Sequence, residues 1–199
     1  MSSPSGAPLT PLPRSFYDHD SRVLAPLLLN KVLVVADRQA RIVEVEAYAA
    51  AEDPASHAYR GLTRRNAVMF GPPGHLYVYF SYGMHWCANV VAGGPADGHA
   101  VLLRAGAPVA GLEAMRAARP AARRDRDLCS GPARLCQALG LSGVDDGDDL
   151  VAPAPGGPWL ADDGTPPPRR PGRSPRVGIS KAADVLWRWF VAGDPNLSR

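Results

Sequence analysis

The stretch HLYVYFSYGMHWCANVV, residues 75–91, constrains this chain more than any other. Side chains alternate with period two, which predicts a β-strand from His75 to about Ser81, a turn at Gly83 and a return strand through Val91. That hairpin carries Tyr82 at its tip, beside a glycine. A large aromatic there has little to pack against, so it is expected to stand exposed.

A second alternating stretch, RIVEVEAY (residues 41–48), reads as a strand that holds two acids. Its phase puts Val43, Val45 and Ala47 on one face and Ile42, Glu44, Glu46 and Tyr48 on the other. Glu44 and Glu46 would then stand roughly 7 Å apart, close enough for one charge to raise the pKa of the other. Taken alone, this pattern also describes a solvated strand face.

Around these two segments the pattern predicts a mixed α/β (α+β) domain. Residues 1–13, rich in Ser, Pro and Gly, are expected to be a disordered tail, with the domain spanning 14–199. SRVLAPLLLNKVLVV gives a short helix to about Leu29 and a strand near Val32–Val35, turned by ADRQA into the acidic strand. A loop from Ala49 to Gly61 carries Glu52, Asp53 and His57, and Thr63 is the N-cap of a short helix, RRNAVMF, stopped by Gly71 and Pro72. HAVLLRAGAPV is a further strand, with Arg104 pointing away from Val101 and Leu103 toward a groove or solvent. Two helices follow, one ended by Pro120 and one with Pro132 near its start and Gly140 as C-cap. The Asp-, Pro- and Gly-rich residues 145–175 read as a long mobile excursion, and a last strand carries Trp187 and Trp189.

Composition narrows the functional classes. With 199 residues and 46% hydrophobic positions the chain can bury one sizeable core. Its net charge of +3 suits an anionic partner without demanding one, and Lys31 and Lys181 are the only lysines. Cys87, Cys129 and Cys136 form no CxxC pair, which argues against a disulfide framework or a zinc knuckle and fits a reducing cytoplasm. The apolar runs are too short and too interrupted for a membrane span, so a soluble intracellular protein is expected.

Two readings of the polar residues remain open. Glu44, Glu46, Glu52, Asp53 and His57 are the residue types of an oxygen-rich metal site, as in a metal-dependent nuclease or phosphohydrolase. Alternatively, the acidic strand face floors a pocket in which one carboxylate works beside Tyr48, His57 and Tyr77 or Tyr79. Stacked rings with one carboxylate suit a flat, electron-poor ligand such as a nucleobase.

RIVEVEAY, EDPASHAYRG, RRNAVMFGPPGHLYVYFSYGMHWCANVV, AVLLRAGAP, RDLCSGPARLCQALGL and RVGI occur in an order and spacing that resembles the alkyladenine (3-methyladenine) DNA glycosylase family, from about Leu24 to Val191. The resemblance implies a curved antiparallel sheet flanked by helices, with a protruding hairpin. It implies that Glu46 is the general base that activates the attacking water, with Glu44 a supporting acid. Tyr48, His57 and Tyr79 take the places of the base-stacking residues, and Asn89 that of the asparagine screening the purine edge. Tyr82 matches the tyrosine that wedges into the helix, and Arg104 the arginine near the flipped nucleotide's phosphate; His85 and Trp86 depart from the family pattern.

By the same resemblance, the partner is double-stranded DNA containing damaged purines, and no cofactor or metal is required. A monomeric, cytoplasmic and nucleoid-associated enzyme is expected, leaving an abasic site. With so few lysines to act as amine nucleophile, a monofunctional hydrolase follows. The competing class is a non-catalytic nucleic-acid-binding domain, since the same fold serves as the C-terminal domain of a formyltransferase. A binder has no use for a carboxylate at Glu46.

Overall fold

The structure, a computed structural model, describes residues 8–198. In chain order the strands and α-helices are β1 (Thr10–Pro11), α1 (Arg14–Tyr17), α2 (Ser21–Leu28), β2 (Val32–Val35), β3 (Arg38–Ala49), β4 (Leu76–Ser81), β5 (His85–Ala92), β6 (His99–Ala110), α3 (Leu112–Ala118), α4 (Pro132–Leu139), β7 (Trp159–Asp162), β8 (Gly172–Ser174) and β9 (Arg188–Phe190). The strands form one open antiparallel sheet in the order β1-β7-β2-β3-β6-β5-β4, with β9 on β3 and β8 on β9. The α+β class read from the sequence is the class observed.

β3 is the axis of this sheet. One edge pairs with β6; the other pairs first with β2, through residues 38–41, and then with β9, through residues 44–46. With both edges bonded and both faces covered, Ile42 through Ala47 are all buried. The solvated-face reading of the two glutamates therefore fails. The uniform phase expected for residues 41–48 fails too: register shifts flank Glu44, and Ile42 packs in the same apolar cluster as Val45 and Ala47. A bulge of this kind breaks alternation without leaving a mark in hydrophobicity.

The main core lies between the sheet and the helices, where Leu24, Leu28, Met115, Leu135 and Leu139 meet Val45, Val90 and Leu103. Asp20 caps α2 by accepting the Arg22 amide at 2.7 Å. A smaller cluster of Met69, Tyr77, Val91 and Ala100 packs separately. Neighbouring residues Val90 and Val91 divide between the two clusters, as pleating requires.

Four further expectations need correction or refinement. The stretch 145–175 supplies β7 and β8; β7 lies between β2 and β1, with Val32 opposite Ala161 and Thr10 opposite Asp162. The tail expected to be disordered through residue 13 is thus ordered at β1, and residues 1–7 lie outside the described residues. Both segments are strands because of distant partners, which local composition does not encode. RRNAVMF is a 3-10 helix interrupted at Asn66, though Thr63 caps it as expected, and β9 holds Trp189 but not Trp187.

Candidate active site

The rings of the hairpin, the loop after β3 and the segment before β9 enclose a cavity of about 490 Å³. Tyr48, His57, Tyr79, Tyr82, Asn89 and Arg104, six residues singled out from the sequence, all line it. Glu46 sits immediately behind that lining with no exposed surface. Its Oε1 accepts the Val177 amide at 2.8 Å and lies 3.2 Å from Arg104 Nη1, while Oε2 accepts the Tyr48 hydroxyl at 3.0 Å. Each of these three partners faces the cavity.

Burial pushes the Glu46 carboxyl above the ordinary carboxylate value; Arg104, the Val177 amide and Tyr48 pull it down without reversing the shift. Burial and the neighbouring Glu46 push the Tyr48 phenol far up, so it remains a donor to that carboxylate. Glu44 is equally buried yet has a different environment. It accepts from Arg188 Nε at 2.7 Å, Arg104 Nε at 2.9 Å, and the amide and hydroxyl of Ser198 at 2.6 and 2.7 Å. Burial opposes its ionisation, but the Arg188 and Ser198 hydrogen bonds and the charge of Arg104 outweigh it and hold the Glu44 carboxyl below the ordinary value.

The aromatic wall is preassembled. Tyr77 and Tyr79 stack with centroids 5.6 Å apart, and His57 meets Tyr79 edge-on at 4.5 Å. His57 is anchored through Nδ1, 3.0 Å from the Tyr77 hydroxyl, and its loop is clamped by Asn66, whose amide donates to the carbonyls of His57 and Gly61. Burial, with a smaller contribution from Arg65, lowers the His57 pKa, so the imidazole is held neutral. Burial likewise pushes the Tyr77 phenol up to about 12. Asn89 donates its side-chain amide to the Tyr77 carbonyl at 3.1 Å, which leaves its carbonyl oxygen unused by that bond.

At the hairpin tip Tyr82 and Gly83 have φ of 50° and 66°, and the Met84 amide closes the turn on the Ser81 carbonyl at 3.0 Å. Two successive left-handed residues match the twist of the flanking strands. Glycine adopts this freely, whereas Tyr82 is strained there and remains 85% exposed.

Arg104, expected to face a groove or solvent, is buried in the cavity wall, where it spans both glutamates. The five residues of the metal reading do not converge. Glu44 is occupied by arginines, Glu52 is exposed and pairs with Arg22, and Asp53 is buried against Arg176. Among the described residues no group of three or more His, Cys, Asp or Glu forms a metal-ligating cluster. Arg176, Arg188, Ser198 and Asn66 went unnoticed in the sequence; only RVGI and RRNAVMF, which contain Arg176 and Asn66, drew attention to their neighbourhoods.

A family model described as methylpurine-DNA glycosylase matches residues 15–195. The chain belongs to this family. Provisionally named 3-methyladenine DNA glycosylases resemble it over nearly their whole length. The protein of Burkholderia lata is 58% identical over 94% of this chain and 90% of its own. Those of Streptomyces avermitilis and Chlorobaculum tepidum are 48% and 47% identical, over 95% and 92% of this chain and 91% and 88% of theirs. Among the described residues no helix is long and apolar enough to cross a membrane.

Proposed function

We propose that this protein flips alkylated or deaminated purines out of duplex DNA and hydrolyses the N-glycosidic bond with water activated by Glu46. The observation that carries this reading is the wholly buried Glu46 carboxylate, raised in pKa and bonded to three groups of an aromatic cavity. A carboxylate offers about four acceptor sites. Oε1 is engaged by Val177 and Arg104 and Oε2 by Tyr48 alone, so Oε2 keeps acceptor capacity for a water, which the lining that now covers Glu46 must shift to admit.

In the reaction, the water oxygen bonds to the sugar C1′, its proton passes to Glu46, and the electrons of the glycosidic bond leave with the base. A 3- or 7-methylated purine is cationic and departs neutral, so it needs no strong general acid; a neutral purine such as hypoxanthine takes a proton from solvent as it leaves. Glu46 also stabilises the oxocarbenium-like sugar, as a glycosidase carboxylate does. Tyr48, His57 and Tyr79 stack on the flipped base, and Asn89 meets its edge. Tyr82 fills the vacated space in the helix, and Arg104, besides holding Glu46, meets the phosphate of the flipped nucleotide. Neither lysine lines the cavity, which supports hydrolysis without an amine-linked intermediate. The working environment is the cytoplasm, on chromosomal DNA, and the protein acts as a monomer.

The test is base release from duplexes bearing single 3-methyladenine, 7-methylguanine, hypoxanthine or ethenoadenine residues. Free base and an unbroken abasic strand are expected from at least one of them. Release from none, or nicking of the strand by the purified protein, rejects the proposal.

A further inference from the structure

RVGI is a motif to which the reaction above gives only a partial role. Val177, Gly178 and Ile179 line the cavity, but Arg176 does not; its side chain is wholly buried. It is also the only buried residue from 171 to 180. Besides the pairing of β8 with β9 and the bond from the Val177 amide to Glu46, the buried anchor of this segment is therefore Arg176. Its Nη2 donates to Asp53 Oδ1 at 2.8 Å and its Nη1 to Asp53 Oδ2 and, at 2.9 Å, to the Ala47 carbonyl of β3. The guanidinium carbon lies 4.6 Å from the Tyr48 ring centroid and 5.1 Å from that of Trp187. Asp53 meanwhile accepts the amides of Ala49 and Ala55, fixing the turn that leads to His57.

We infer that Arg176 is a positioning residue for this site: clamped by Asp53, it supports the Tyr48 ring from outside the cavity and sets the next amide, that of Val177, against Glu46. The inference rests on the proposed roles of Glu46 and Tyr48. Stability alone is a poor reason for the pair, because well-packed apolar side chains can replace a buried ion pair with little or no loss. The bidentate fork supplies direction. It ties β3, the loop after it and the RVGI segment at a single point, and the catalytic carboxylate and the stacking ring both belong to the strand so tied.

The test compares Arg176→Lys with wild type in single-turnover base release at saturating enzyme, as a function of pH. Lysine keeps the charge but cannot reach Asp53 bidentately and the Ala47 carbonyl together. A displaced reacting group costs about a hundredfold in rate, and a loss of that order is expected. The acid limb should also move to higher pH, because the Val177 amide that favours ionised Glu46 is loosened. Glu46 is faced by Arg104 from β6, Glu44 and Tyr48 from β3, Tyr79 from β4 and Cys87 from β5, none of which the substitution removes. If the lysine variant does not fold, Arg176→Met combined with Asp53→Leu removes both charges at once and should show the same rate loss and moved limb.

A variant whose rate or acid limb matches wild type overturns the inference. So does a rate loss explained by a smaller folded fraction, read from circular dichroism at the assay temperature. Wild-type protein that releases no base overturns the glycosylase reading instead, so the two failures are distinguishable.

Discussion

Two residues apart on β3, with identical side chains and no exposed surface on either, Glu44 and Glu46 occupy opposite situations. The Glu44 end is closed: two arginines and both donors of Ser198 converge on it. The Glu46 end opens, through its partners, onto a cavity, and only one arginine reaches it. Burial raises both carboxyls, and the number and charge of the donors decide whether that shift survives. A glutamate becomes structural when cationic and neutral donors together compensate its charge. It becomes a candidate base when its partners face a cavity and its charge is only partly compensated.

The largest effect should come from removing each carboxylate in turn. Glu46→Gln should cut base release by about a hundred- to ten-thousand-fold, the range of a general base, while lesion-DNA affinity holds, because the isostere keeps shape but takes no proton. Glu44→Gln should do the reverse, sparing much of the rate but losing about 3 kcal/mol of stability as buried arginines lose their charge partner. Turnover and urea unfolding of the two variants would reveal the crossover. Equal losses of activity would dissolve the contrast and bring back a carboxylate pair.

The same contrast should appear in pH. Glu46 must be ionised to act, and its pKa is raised, so base release should fall on the acid side with a midpoint above the ordinary carboxylate value. The stability linkages have opposite signs. Glu44, with a lowered folded pKa, contributes stability above its unfolded value and loses it as pH falls through the folded one; Glu46, raised, favours the native state more as pH falls toward its unfolded value. Glu44→Gln should therefore move the activity midpoint downward, since a like charge is gone and Arg104 has one carboxylate left to serve. An unmoved midpoint would mean that the two ends of β3 are electrostatically independent.

How much of this was legible follows from where each determinant lies in the chain. The hairpin was legible because its alternation, turn glycine and return strand are all local. So was the place of Tyr48, His57, Tyr79, Tyr82, Asn89 and Arg104 in one site, because long motifs carry them. The division between the glutamates was not, since Glu44 is closed by Arg188 and Ser198, which lie 144 and 154 positions away. Arg176 was hidden for a related reason: an arginine among small residues in a basic chain looks like surface, and its burial depends on Asp53, 123 positions distant. β1 and β7 were missed because Pro- and Gly-rich composition predicts a loop unless the partner strand is known.

Further from β3, Tyr82→Ala sharpens the contrast from the cavity side. The ring is exposed and touches neither glutamate, so stability should hold while excision from duplex DNA slows by about tenfold, equivalent to about 1.4 kcal/mol of the unstacking cost that a wedge offsets. Single-stranded substrate, which has no paired neighbour to hold apart, should be much less affected. Equal slowing on both substrates would place Tyr82 in the base pocket rather than in the helix.

The smallest effect expected concerns the charge of the base. A cationic purine over an electron-rich ring gains about 0.5 to 2 kcal/mol, enough for several-fold preference over a neutral purine of similar shape. Neutral His57 keeps that gain; protonated, it would repel the cation. Burial and Arg65 lower its pKa, so the imidazole should stay neutral until the pH drops below the usual histidine range. Absolute rates cannot isolate this, because Glu46 is losing its charge on the same side of the profile. The ratio of 7-methylguanine to hypoxanthine excision can, since both lesions share the same base catalyst and only one carries a positive charge. That ratio should be level at neutral pH and fall on the acid side, and His57→Gln should flatten it. A ratio that is level throughout, or one that falls unchanged in His57→Gln, would assign the discrimination to the leaving ability of the lesion and remove the histidine from it.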